Sequence, residues 1–116
     1  MIAVIAENFL EDGQEQAFLD LSIRIRPSIE AIDGFLSVER FESLSQPGKI
    51  LSLSFWRDEQ ALGALRQNEP HRGAEEQGRA DILKDYHIRI AQVFRDYGMF
   101  DREQAPKDGG PFHSPQ

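Results

Sequence analysis

Hydrophobic and polar positions along the chain switch repeatedly between a two-residue and a three-to-four-residue period. MIAVIAENF sets Ile2, Val4 and Ala6 toward one side and Ala3, Ile5 and Phe9 toward the other, which predicts a first strand with apolar residues on both faces. Phe18, Leu21, Ile25, Ile29 and Ile32 then recur at helical spacing. Asp12 is placed to cap that helix near Gly13, and Glu15 suits its first turn. Pro27 falls inside the pattern and predicts a kink or a break into two pieces, while Gly34 supplies a left-handed end. FLSVERFESL and KILSLSFW read as strands joined by SQPG, where Pro47 and Gly48 fit the central positions of a type II turn and so predict a hairpin. In the second of these strands Leu51, Leu53 and Phe55 share one face, and Ile50, Ser52, Ser54 and Trp56 the other.

Asp58 is placed to cap EQALGALRQ, whose Ala61, Leu62 and Leu65 form a short apolar stripe. Asn68 or Glu69 precedes Pro70, a residue suited to the first turn of a helix running through HRGAEEQGRADIL. YHIRIAQVFRDYG sets Tyr86, Ile88, Ile90 and Phe94 against Ala91, Val93 and Tyr97, the pattern of a last strand. Residues 100–116 hold three of the six prolines and no periodicity, and they read as a tail outside a domain of residues 1–99.

The order β-α-β-β-α-β predicts an α+β, ferredoxin-like fold, with a four-stranded antiparallel sheet carrying its helices on one face. Three strands are apolar on both sides, so the second face needs a cover. A second copy of the chain supplies it by two-fold symmetry, and a homodimer is expected.

Composition narrows the partners. At 116 residues the chain is one domain with one core. A net charge of −7 leaves no basic surface for nucleic acid and disfavours an anionic membrane. No apolar run approaches the length of a membrane span, and MIAVIAENF lacks the basic start of a secretory leader, so the expected location is cytoplasmic. With no cysteine there is no thiolate nucleophile, disulfide or thiolate metal site.

GFLSVERFESLSQPGKILSLSFWRDEQA, followed by HRGAEEQGR and DYHIRIAQVFRDYGM, resembles the antibiotic biosynthesis monooxygenase (ABM) domain of the dimeric α/β-barrel superfamily, over residues 1 to about 100. The resemblance implies that fold, a homodimer and a small-molecule substrate. It also implies oxidation of an aromatic or quinol-like molecule by oxygen with no cofactor, as in characterised members; other members bind small molecules without oxidising them. Relatives that degrade heme would carry a tryptophan at Leu65 and an iron-ligating histidine near Glu75; Asn8 matches their asparagine but those two positions depart, so no heme is expected.

His71 is the sharpest candidate for catalysis. At a helix start its imidazole is expected to be neutral, able to accept a phenolic proton, and equally able to pack against backbone. Asn8 interrupts an apolar strand and must find hydrogen bonds from backbone, water or ligand; the resemblance makes it an orienting group. Trp56, Arg79 and Tyr86 are candidate substrate-binding residues: Trp56 as core or substrate wall, Arg79 as a stabiliser of a phenolate, and Tyr86 on the strand face opposite Arg89. Glu75 with Arg79, and Arg72 with Glu76, are helical ion pairs that mark a solvated face. His71 and Glu75 alone are too few to hold a metal, and no metal is expected.

Overall fold

The computed structural model describes residues 1–107, so most of the expected tail, from residue 108 on, lies outside the described residues. The chain folds as β1 (Ile2–Leu10), α1 (Glu15–Glu30), β2 (Phe35–Glu42), β3 (Lys49–Trp56), α2 (Glu59–Gln67), α3 (Glu69–Gln77), a π-helical turn (Gly78–Ile82) and β4 (Leu83–Gln92). The four strands form one sheet in the order β2-β3-β1-β4, and every neighbouring pair is antiparallel. This is the ferredoxin-like arrangement, with its second helical segment divided.

The hairpin forms where Pro47-Gly48 places it. Gly48 sits at φ +79, and the Lys49 N–H donates to the Gln46 carbonyl at 3.3 Å, as a type II turn requires. Asp58 caps α2 by accepting from the Ala61 N–H at 3.0 Å, and Asn68 caps α3 by accepting from the His71 N–H at 2.9 Å. Three expectations need correction. Asp12 caps nothing: Gly13 turns the chain at φ +78, α1 begins at Glu15, and no side chain bonds its first N–H groups. Pro27 does not break α1, which runs as one helix from Glu15 to Glu30; the carbonyl it leaves without a helical partner belongs to Ile23, on the exposed side. Gly34 is left-handed at φ +97, but it closes the turn after the helix, whose own cap residue is Ala31.

The last strand also differs from its pattern. It starts at Leu83 and stops at Gln92, which pairs with Ile2, the first residue of β1. Beyond Gln92 the sequence still alternates, but the ladder continues only by one bond from the Val93 N–H to the Met1 carbonyl at 2.9 Å. The segment after it holds itself by local bonds, among them Gly98 N–H to the Asp101 carbonyl at 2.8 Å. Among the described residues, no helix is long and apolar enough to cross a membrane.

The helices pack on one face of the sheet and leave two core clusters. One gathers Ile2, Ile29, Trp56, Ala61 and Leu62 near the start of β1. The other gathers Leu10, Leu21, Ile50, Ala74 and Ile82 near its end. Ile25 of α1 touches both. On the opposite face, Glu7 stands between two cations, Lys49 Nζ and an Arg89 guanidinium nitrogen, each 2.6 Å from one of its oxygens. These bonds hold its carboxyl down at about 2.

Candidate functional site

Between the two clusters the core is open. A cavity of about 400 Å³ lies under α1 and α3, with the inward face of the sheet as its floor. The register explains the space. Val38, Ser54, Val4 and Ile90 stand side by side across the sheet, and Arg40, Ser52, Ala6 and Ile88 form the next row. Of the four central positions of those rows, where a packed sheet carries large branched side chains, three are small, Ser54, Ser52 and Ala6, and only Val4 is branched. The helices do not drop into the gap, because their apolar residues are anchored in the clusters at either end. Phe18, Leu21, Ile25 and Ile29 of α1 make an apolar roof. Tyr86, Ile88 and Ile90 line the cavity and are 44%, 50% and 56% exposed, so the mouth lies along the edge strand β4.

All five residues singled out from the sequence stand on this lining: His71, Asn8, Trp56, Arg79 and Tyr86. His71 is set by the Asn68 cap at the start of α3. Its Nδ1 lies 3.0 Å from Glu75 Oε1, in a direction that falls short of a hydrogen bond, and is buried without a partner. Burial pushes its pKa below the usual 6.5, against a smaller opposing pull from Glu75. The ring is therefore neutral at pH 7, as expected, with burial as the leading cause. Asn8 uses its Nδ2 to donate to the Ala6 and Ile50 carbonyls, each at 3.2 Å; its Oδ1 accepts no bond among the described residues.

Trp56 is both core and wall. It is 1% exposed, stacks edge-on against Phe35 at 5.3 Å and donates from Nε1 to Ser54 Oγ at 2.9 Å. Arg79 reaches Glu75 at 3.6 Å from a half-exposed position, whereas no ion pair joins Arg72 to Glu76 among the described residues. Arg89 lies on the far face with Glu7, opposite Tyr86. Among the described residues, no three histidine or carboxylate side chains converge on a metal-sized site.

Sequence reasoning missed Arg40 and the small floor residues. Arg40 enters the lining from β2, and its Nε is the second buried side-chain nitrogen without a hydrogen-bond partner. Burial first, and Arg26 second, pull its pKa below the usual arginine value. The signal lay in two facts: an arginine alternating inward beside Val38, and two inward serines in the most regular strand of the chain. Both residues that carry a buried, unpartnered nitrogen line this one cavity, which makes it the candidate site.

Comparison with known proteins agrees with the architecture. The profile of the family described as antibiotic biosynthesis monooxygenase matches residues 1–77. The chain is 46% identical over 93 residues to a Pyricularia oryzae protein named jasmonate monooxygenase ABM, covering 80% of this chain and 43% of that protein. It is 32% identical over 62 residues to an uncharacterized Bacillus subtilis protein, YqjZ, covering 53% of each. The chain thus spans about half, or less, of the length of these curated relatives. Among solved structures, a Mycobacterium tuberculosis protein superposes with TM-score 0.75 at 18% identity, over 84% of this chain and 98% of its own. That likeness is one of fold.

Proposed function

We propose, from the premise that this chain belongs to the antibiotic biosynthesis monooxygenase family, that it oxygenates a small, largely apolar aromatic or quinol-like molecule without a cofactor. The observation that carries this reading is the divided core: an apolar cavity with a neutral, half-buried imidazole on its wall. His71 takes the proton of a phenolic hydroxyl, and Asn8 Oδ1 accepts from a neighbouring hydroxyl to orient the ring. The resulting phenolate is the electron donor. Oxygen bonds to its ring carbon, one oxygen atom stays in the product, and the other leaves as water, so the substrate is oxidised by two electrons more than a simple hydroxylation and becomes a quinone. The dry roof of α1 favours this step by withholding solvent from the anion. The fungal relative's name supports oxygen transfer as the class of reaction, and for that reason jasmonate belongs on the substrate panel.

The same reading includes a homodimer joined through the sheet face opposite the helices. Ala3, Ile5, Phe9, Leu51, Leu53 and Phe55 line that face around Glu7, opposite the helices. A second copy covers it. Sedimentation at micromolar concentration is expected to give twice 13.2 kDa.

Oxygen uptake with a panel of quinols, phenols and jasmonate tests the reaction. Uptake is expected for at least one of them, and a His71→Gln variant should lose about 10²–10⁴-fold of it, the usual contribution of a general base. Saturable binding with no uptake by any compound would refute oxygenation and leave a binding module.

A further inference from the structure

Three guanidiniums line the cavity, and Arg40 differs from the other two. Arg66 and Arg79 stand at the exposed rim, where water solvates them, and Arg79 already has Glu75. Arg40 enters from β2 at the side farthest from the mouth, three strands away from Ile88, which at ~4.8 Å per strand is roughly 14 Å. Its Nε is buried and unpartnered, and no carboxylate among the described residues forms an ion pair with it. The charged group that acts on it is Arg26 of α1, a like charge that is itself paired with Glu30 at 3.1 Å. Its neighbours on the floor are Ser52 and Ala6. A guanidinium stays cationic even when burial lowers its pKa, so the chain holds a partly desolvated charge with no carboxylate paired to it among the described residues. A structure keeps such a charge at a cost in stability, and a ligand that completes it recovers that cost on binding.

We infer that the ligand of this cavity is an apolar monocarboxylic acid whose carboxylate seats on Arg40 at the deep end, with its hydrocarbon body over Ala6 and Ser52 toward β4. The inference rests on the cavity being the substrate pocket. A carboxylate fits because its two oxygens match the guanidinium fork, and because charge-assisted bonds strengthen where water is scarce. The hydroxyl of Ser52, free of protein hydrogen bonds among the described residues, stands next to Arg40 to donate a further bond. The apolar lining accounts for the remainder of the molecule.

The test compares 4-cyclohexylbutanoate with its neutral amide, 4-cyclohexylbutanamide, on the full chain. Trp56 is the only tryptophan and lines the cavity, so its emission reports occupancy. The wild type is expected to bind the carboxylate about tenfold or more tightly than the amide, as a charge-assisted pair implies. Arg40→Gln should abolish that preference by weakening the acid while leaving the amide unchanged, and Arg40→Lys should keep part of it. Arg66→Gln and Arg79→Gln should retain it in full. Equal affinities in the wild type, a preference that survives Arg40→Gln, or one that disappears in either rim variant overturns the inference and leaves the pocket reading intact. If neither compound perturbs Trp56 in the wild type, the pocket reading and the inference fail together. The wild-type comparison stands even if a variant does not fold.

Discussion

Ser52→Leu asks whether the hole in the core is real. Ser52 stands at the centre of the floor, between Arg40 and Ala6, and its hydroxyl makes no hydrogen bond among the described residues. The substitution removes an unused polar group and sends three carbons into the cavity. Fully buried, three carbons would contribute about 2.4 kcal/mol at ~0.8 kcal/mol each. The cavity opens along β4, so about half that gain is expected, near 1 kcal/mol, or a rise in Tm of roughly 4 °C. Thermal unfolding by far-UV circular dichroism measures it. Mutant and wild type must be compared at one protein concentration, since the proposed dimer would make Tm depend on it. The same variant should lose binding of 4-cyclohexylbutanamide, because its side chain takes the ligand's place. Stability should rise while binding falls. In a filled core the identical change overpacks and costs typically 1–3 kcal/mol, so a lowered Tm would refute the divided core and everything built on it.

Gly34→Ala is expected to destabilise by roughly 2–4 kcal/mol in urea, combining strain at positive φ with overpacking; its new Cβ would lie 2.7 Å from the Ala61 Cβ at φ +97. Glu7 has a folded pKa of about 2 against a usual 4.5, so its ion pairs stabilise fully above pH 4.5 and are lost as pH falls toward 2. Denaturation midpoints of the wild type should therefore fall more steeply across that window than those of Glu7→Gln. His71 has a depressed pKa, so below pH 6.5 the unfolded chain gains a proton that the folded one resists, and stability falls as pH drops through that value. An NMR titration should put the midpoint of its C2–H signal below 6.5.

The fold was legible wherever a local signal had no competitor. Pro47-Gly48 specified a turn that no neighbour contested, and Asp58 and Asn68 each preceded a helix with nothing nearer to serve as cap. Asp12 failed because Gly13 gave the chain another way to turn, which moved the helix start out of reach. The division into α2 and α3 was legible at Asn68-Glu69-Pro70, but the end of α3 was hidden. HRGAEEQGRADIL is polar enough to be helical throughout, but Gly78 is buried against Leu83, and the chain widens there into a π turn that drops Leu83 into the sheet. The far end of β4 is the clearest case. Residues 93–97 alternate like a strand, yet pairing stops at Gln92, opposite Ile2. Periodicity states a preference; a ladder needs a partner.

The site was half legible for a related reason. Alternation assigned Ser52 and Ser54 to the same face as Trp56, and β1 showed Ala6 between Val4 and Asn8, but neither strand reveals that its small residues fall opposite one another. A small inward residue usually means that a neighbour comes closer. Here Val4, Ala6 and Asn8 meet Ser54, Ser52 and Ile50 in register, so two small residues coincide at Ala6–Ser52, next to Ser54, and leave the gap unfilled. Arg40 escaped notice because an arginine in a hairpin strand ordinarily points to water; only the pairing with Ser52 turns it inward. β1 then serves two surfaces at once. Its inward residues bound the cavity, while Ile5, Glu7 and Phe9 alternate outward onto the face assigned to the second copy. A strand with period two cannot shift its register to relieve one face without displacing the other. The hole under the helices is therefore held open by the same hydrogen-bond ladder that fixes the outward face of the sheet, and a pocket built this way needs no loop to shape it.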